Sequence, residues 1–316
     1  MCLTERDKMK ENIETNLEQD QESIEAYIEH VYERGMMLIR NGLWAGIDLF
    51  KYKGWWKNFV RTKERLLAAL LVDRLIYRSE EHMKSMLFDL LTVAVPNCMR
   101  LCGDKDYAKN RKLLTKLCEN VDHGIRLVNI NEQDQPSQSS GEMVNFINHH
   151  MNVRRKNIIV QQNVAKDYEE GARIFILMDD ITCTGGQIKA ALDGIKPERM
   201  KDARFYVAVC CACMKGIENI KKTHPQVGIA YTELLIEDHA FFDSLEYEKI
   251  PFENKDDLRS FYEDYAQKKK FNTNRLYGKD DMALVYAFQN STPNASLPIL
   301  YWKNNVFNQF LNKRGS

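Results

Sequence analysis

The chain has 316 residues, 45 Lys and Arg against 45 Asp and Glu, 44% hydrophobic residues and eight cysteines. Balanced charge removes the electrostatic argument for nucleic acid or an anionic membrane as main partner. No apolar run reaches the roughly 18–20 residues of a membrane span and the charged N-terminus lacks the apolar centre of a signal peptide, so a cytoplasmic protein with no membrane contact is expected, with one large or two modest cores.

Residues 1–20 are polar. From Ser23 an apolar stripe follows at Ile24, Tyr27, Ile28 and Val31, which predicts a helix. Lys53-Gly54-Trp55-Trp56 reads as a turn followed by aromatics, and Leu66, Leu67, Leu70, Leu71 and Leu75 mark a second helix. The two tryptophans offer either a base-stacking platform or packing between helices. Arg61, Lys63, Arg65, Arg74 and Arg78 form either a solvated face or a partner surface. Residues 1–95 are thus predicted as a helical extension, packed on an α/β domain of residues 96–316 or serving as the surface of a homo-oligomer.

The second part alternates strand and helix patterns, the mark of a doubly wound, mostly parallel sheet with flanking helices. Thr92–Met99 is apolar with Pro96 inside, so it reads as an edge strand or a helix end. A helix over Asp104–Asn120 and a strand over Ile125–Ile130 follow. Asn131–Gly141 is a polar loop, and Ser139, Ser140 and Gly141 at its end can present donors to an anion or simply cap the next helix. Arg154-Arg155-Lys156, before a strand near Ile158, sits over such an anion or is solvated.

The most informative stretch is Ala172–Leu192. Ile174-Phe175-Ile176-Leu177-Met178 predicts a strand buried on both faces. Asp179 and Asp180 follow, then Ile181-Thr182-Cys183-Thr184-Gly185-Gly186, then a helix carried by Ile188, Ala191, Leu192 and Ile195. Glycines let backbone amides approach an anion, and the helix start adds its unpaired donors. Carboxylates beside such a cradle repel phosphate, but they suit sugar hydroxyls or a bound Mg²⁺. The implied ligand is a ribose carrying a phosphate.

Farther on, Phe205–Cys210 and Val227–Tyr231 predict strands and Lys215–Thr223 a helix. Cys210, Cys211 and Cys213 extend an apolar strand and read as buried thiols rather than metal ligands. His239 is an acid–base candidate or a hydrogen-bonded structural residue. Lys255–Lys270 is an amphipathic helix and Asp281–Phe288 a late strand. It leads into Gln289–Leu297, which with Tyr301 and Trp302 is a candidate cover for a planar ring.

The Ile174–Gln187 stretch resembles the phosphoribosyl-pyrophosphate (PRPP) loop of type I phosphoribosyltransferases. The resemblance implies that Asp179 and Asp180 hold the ribose hydroxyls and serve as catalytic residues and Mg²⁺ ligands. It implies that Thr182, Cys183, Thr184, Gly185, Gly186 and Gln187 wrap the 5′-phosphate, and that Ser139, Ser140 and Gly141 meet the pyrophosphate. Cys183 stands where 6-oxopurine salvage members carry an Asp general base, which disfavours purine salvage, and Gln187 replaces a common Thr or Ser. A narrower resemblance rests on the helical leader with Trp55 and Tyr77-Arg78-Ser79, the central DDITCTGGQ, and STPNASLPILYW near the C-terminus. These are similar to the phosphoribosyltransferase-like effectors of bacterial antiviral conflict systems. That implies an effector with protein, RNA or DNA partners from a defence operon. Two functions remain open: an enzyme acting at ribose C1 of PRPP or a nucleotide, and a sensor that binds the same ligand and controls a partner. A third reading, nucleic-acid binding through Trp55, Trp56 and the basic helix, predicts a steep salt dependence.

Overall fold

A computed structural model describes residues 5–103, 112–130, 139–247 and 250–313, with side chains for all of these except 5–20, 139–142, 144, 145 and 273. Helices α1 (Glu5–Arg40), α2 (Leu49–Trp56) and α3 (Thr62–Asp73) precede a short strand, β1 (Ile76–Arg78). Helix α4 (Glu80–Asp89), a π-helical turn (Leu90–Ala94), α5 (Val95–Leu101) and α6 (Leu113–Cys118) follow. Strands then alternate with helices: β2 (Ile125–Asn129), α7 (Ser139–Met151), β3 (Ile158–Val160), α8 (Val164–Glu169), β4 (Ile174–Thr182), α9 (Gly186–Ile195), β5 (Arg204–Cys213), α10 (Met214–Thr223) and β6 (Gly228–Leu235). Helix α11 (Lys255–Lys268) and β7 (Tyr286–Phe288) complete the order.

The described residues divide into two units, one within Met1–Ser79 and Ser244–Lys313 and one within Glu80–Asp243. The sequence reading draws a single boundary at 95/96. The observed division is discontinuous, and the first unit's two pieces are joined by a parallel pairing of β1 with β7, Ile76 opposite Tyr286.

In the first unit the aromatic residues form the core. Trp55 is fully buried, donates from Nε1 to the carbonyl of Ile299 (2.9 Å) and stacks on Phe310 with 5.1 Å between centroids. Trp56 is buried beside it, edge-on to Tyr32. A base-stacking platform is therefore ruled out, because both rings are buried in this unit. The predicted turn at Lys53-Gly54 lies inside α2, where Tyr52, Trp55 and Trp56 fall on one buried face. Tyr301 is buried and Trp302 packs on Phe271 at 5.3 Å, so these rings too serve the core of this unit. Ser296 in the Gln289–Leu297 loop is buried and donates to the carbonyl of Tyr286 (2.7 Å). The late strand is shorter than predicted. Asp280, Asp281 and Ala283 take positive φ (53°, 54° and 46°), which ends extended pairing before Tyr286.

The second unit holds a five-stranded parallel sheet in the order β3-β2-β4-β5-β6. Alternate residues of each strand enter two cores. Ile125, Leu127, Ile176, Met178, Tyr206 and Ala208 meet α4 to α7 on one face. Val128, Phe175, Leu177, Val207 and Val209 meet α8, α9 and α10 on the other. Thr92–Met99 is helical rather than an edge strand: the π-helical turn runs into α5, whose first turn tolerates Pro96. Of the predicted helix over Asp104–Asn120, Leu113–Cys118 is observed, and 104–111 lie outside the described residues. At the amino end of β2, Arg126 is 6% exposed and donates to Asp167 (2.5 Å) and twice to Asp122 (2.8 and 2.9 Å).

Candidate active site

The strand order reverses between β2 and β4, since β2 leads outward to β3 and the chain returns to place β4 on its other side. In open α/β sheets the crevice outside the carboxyl ends at such a reversal is where ligands bind. The β4–α9 loop and the start of α7, the helix after β2, flank that crevice. Residues 131–138 lie outside the described residues. Ser139, Ser140 and Gly141 form the first turn of α7, so the helix starts earlier than predicted.

Strand β4 outruns its neighbour. The β2 pairing ends with Asn129 opposite Met178, while pairing with β5 continues to Thr182 opposite Ala212. Asp179 and Asp180 therefore sit within β4, beyond the last rung with β2. They are 2% and 6% exposed. Consecutive strand residues project to opposite faces, so Asp179 follows Phe175 and Leu177, and Asp180 follows Ile176 and Met178. Each carboxylate folds onto the next amide. Asp179 Oδ1 accepts from the Asp180 amide (3.0 Å), and Asp180 Oδ1 from the Ile181 amide (2.7 Å).

The Cys183–Gly185 loop takes its shape from α10. A Cβ on Gly216 would lie 2.8 Å from the Cys183 carbonyl oxygen and 2.9 Å from that of Thr182. Asn219 Nδ2 donates to the Thr184 carbonyl (3.1 Å). Three successive carbonyls thus turn toward α10. No peptide among the described residues is cis, and in a trans peptide the N–H points away from its carbonyl. The amides of Cys183, Thr184 and Gly185 consequently face the other side, where the first turn of α9 adds its own donors. Gly185 has φ +77°, and a Cβ there would lie 2.8 Å from the Gly216 carbonyl oxygen, so the chain reverses here by means of a residue without a side chain. Thr182 is buried, Cys183 and Thr184 are half-buried, and Gly186 and Gln187 are exposed.

Gly216 and Asn219 are the site residues that the sequence reading misses. Their only sequence signal is a glycine in the first turn of a predicted helix, which weakens the helix unless close packing requires it. Gly216→Ala is expected to lower stability by about 1–3 kcal/mol through overpacking against the Thr182 and Cys183 carbonyls. Gly194→Ala, whose Cβ would meet nothing within 4 Å in α9, is expected to raise stability by about 0.5–1 kcal/mol. Thermal melting of the two variants checks both signs.

Cys183 is held as a neutral thiol. A side-chain hydrogen bond with Cys213, then burial, then the proximity of Cys213, Cys211 and Asp180 push its pKa well above the usual thiol value. It supplies neither the charge nor the basicity of the carboxylate that purine salvage members carry there. Cys210, Cys211 and Cys213 are buried, as expected. Cys210 and Cys213 have metal-type spacing, but three residues apart on a strand place them on opposite faces. No group of three or more metal-ligating residues is found among the described residues.

The remaining candidates are held by backbone groups. Arg154 donates to the carbonyl of Cys118 (2.9 Å) and Lys156 Nζ to that of Asn120. Both precede β3 and so belong to the amino edge of the sheet, which removes the pyrophosphate role considered for them. His239 Nδ1 accepts from the Ile236 amide (3.1 Å) in a short exposed turn, a structural cap. No helix among the described residues is long and apolar enough to cross a membrane.

No curated protein matches the chain. The family model PRTase-CE matches residues 52–312. A five-stranded parallel sheet, its strand reversal between β2 and β4, and the acid pair with the amide-lined loop at its carboxyl edge all lie within that match. The chain belongs to the PRTase-CE family and carries a phosphoribosyltransferase-like α/β domain.

Proposed function

We propose that the second unit binds a 5-phosphoribosyl ligand, PRPP or a nucleotide, at the carboxyl edge of β4 and cleaves or transfers at ribose C1. The observation that carries this reading is the loop between β4 and α9, whose three carbonyls are drawn to α10 and whose amides face the opposite side. Those amides, with Thr182, Thr184 and Gln187, would take the 5′-phosphate. Asp179 and Asp180 would accept hydrogen bonds from the ribose hydroxyls. Ser139, Ser140 and Gly141, at the start of α7, would meet the pyrophosphate or its equivalent. Both carboxylates are nearly buried at the carboxyl end of β4, the edge where open α/β sheets bind their ligands. Their charge would also favour the cationic ribosyl group that develops as the C1 bond breaks.

The acid pair fits Mg²⁺ in one way only. Side chains on opposite faces of a strand do not chelate a single ion together. The ion would be held by one carboxylate, phosphate oxygens of the ligand and water, which is the usual magnesium arrangement. When bound, it would neutralise charge on the departing pyrophosphate.

A second reading has its own observation. Cys183 remains a neutral thiol, so the loop has no base to activate an acceptor. A sensor that binds the ligand without turnover needs none. Incubation of the protein with Mg²⁺ and either PRPP or mononucleotides separates the two readings. Release of pyrophosphate or free base supports the enzyme, binding without release supports the sensor, and no binding of ribose 5-phosphate by calorimetry defeats both. A role as effector in antiviral defence is part of this proposal and rests on the family resemblance. It is tested by phage plating efficiency with the intact gene and with the acid pair replaced.

A further inference from the structure

Cys183 and Cys213 meet across the ends of adjacent strands. The β4–β5 register pairs Thr182 with Ala212, so the next residues, Cys183 and Cys213, stand opposite each other. Parallel strands lie about 4.8 Å apart, within the Cα range of disulfides, about 4.4–6.8 Å. A second observation places the same groups together. One helical turn after Cys213, Gly216 lies against the Cys183 backbone, with its ideal Cβ 3.1 Å from the Cys183 carbonyl carbon. Cys213 is also the first influence that raises the Cys183 pKa, and neither cysteine is in a disulfide.

We infer that Cys183 and Cys213 are an oxidation site, a thiol pair that closes to a reversible disulfide under a two-electron oxidant such as a peroxide. The half-buried Cys183 meets the oxidant first, and the buried Cys213 resolves it. Cys183 Sγ attacks one peroxide oxygen, giving a sulfenic acid and one water. Cys213 Sγ then attacks the Cys183 sulfur, its thiol proton leaves with the displaced hydroxyl as a second water, and the S–S bond forms. Two sulfurs are oxidised by one electron each, and the peroxide takes up both electrons. Because the Cys183 thiol pKa is pushed up by Cys213 and by burial, closure is slow compared with a dedicated redox sensor.

Bond formation shortens the sulfur–sulfur distance to about 2.05 Å. The loop has no slack toward α10, where a methyl group on Gly216 would already overlap its carbonyls. The strain is taken up by rotation of the Cys183 and Thr184 peptide planes, which turns their amides out of line. This last step rests on the reading of the loop as a phosphate cradle, whereas the disulfide itself does not.

The experiment treats the full chain with hydrogen peroxide or diamide and maps disulfides by mass spectrometry. Hydrogen exchange of residues 183–187 is then compared in the reduced, oxidised and re-reduced protein. A Cys183–Cys213 cross-link with altered, thiol-reversible exchange is expected, and Cys213→Ser should remove both effects. Pairing of Cys183 with Cys211, or no cross-link at all, overturns the inference, as does a cross-link that leaves exchange unchanged. Calorimetry with ribose 5-phosphate is expected to show about tenfold weaker binding after oxidation and unchanged binding in reduced Cys213→Ser. Lack of binding in the reduced wild type, with the cross-link present, counts against the proposed ligand alone.

Discussion

Replacing Asp179 and Asp180 together by asparagine is expected to weaken ribose 5-phosphate binding by roughly 10²–10⁴-fold, from the loss of two sets of charge-assisted hydrogen bonds. The same variant should melt near the wild-type temperature. Each carboxylate is nearly removed from solvent and accepts a hydrogen bond from the next amide. An asparagine keeps the shape and the oxygen that accepts from the following amide, as Asp179 does from Asp180 and Asp180 from Ile181. Calorimetric titration and differential scanning calorimetry on the same samples read both quantities. Wild-type affinity in the double variant would remove the acid pair from the binding site. A large drop in melting temperature would make the pair a structural feature.

Arg126→Met should destabilise the second unit by about 3–5 kcal/mol, because it leaves the Asp167 carboxylate buried without its ion-pair partner. Against a typical total of about 5–15 kcal/mol that is a large fraction. The Asp167 side chain is only 12% exposed and that of Asp122 is 56% exposed, so Asp122→Asn is expected to cost no more than about 1 kcal/mol. The Asp122 carboxyl is held well below the usual carboxylate range, first by Arg126 and then by the Gly124 amide. Its folded pKa lies below its unfolded one, so its contribution is complete above about pH 4. It disappears as the pH falls below that toward the folded value. Urea denaturation between pH 3 and 7 should show this acid-side loss in wild type and a flatter profile in Asp122→Asn. Arg126 sits at the amino end of β2, away from the carboxyl edge, so ligand affinity of the folded Arg126→Met protein should be unchanged. An equal loss of affinity would mean that the two edges of the sheet are coupled.

The parts of the fold legible in the sequence are those written in local pattern. The apolar run from Ile174 to Met178, the acids after it and the spacing of Ile188, Ala191, Leu192 and Ile195 identify β4, the loop and α9 without reference to anything distant. Phe205–Cys210 and Val227–Tyr231 are legible for the same reason, although the strands run on to Cys213 and Leu235. What sequence pattern could not supply are relations between remote residues. Strand β1 is three residues long, and only its pairing with Tyr286–Phe288 makes it a strand. Trp55 and Trp56 follow a Lys-Gly that suggests a turn, yet burial of their rings against Phe310 and Tyr32 holds the helix together. At the site, the acid pair and loop residues were readable from their order. The opposite facing of Asp179 and Asp180 follows from β4 continuing to Thr182, which local apolarity does not announce. The support from Gly216 and Asn219 comes from a different helix, and a glycine in a helix start carries little information by itself.

The β1–β7 pairing has a consequence for synthesis on the ribosome. Glu80–Asp243 emerges as an uninterrupted stretch and can collapse around its own sheet while translation continues. The N-terminal helices must wait for Tyr286, a delay of roughly 10–40 s at ordinary elongation rates. During that interval the aromatic faces of Trp55 and Tyr52 lack Ile299 and Phe310, and are open to chaperones or to a neighbouring nascent chain. A premature stop shortly before Tyr286 would therefore release a chain whose sheet unit is complete and whose other half is a sticky, unclosed remnant.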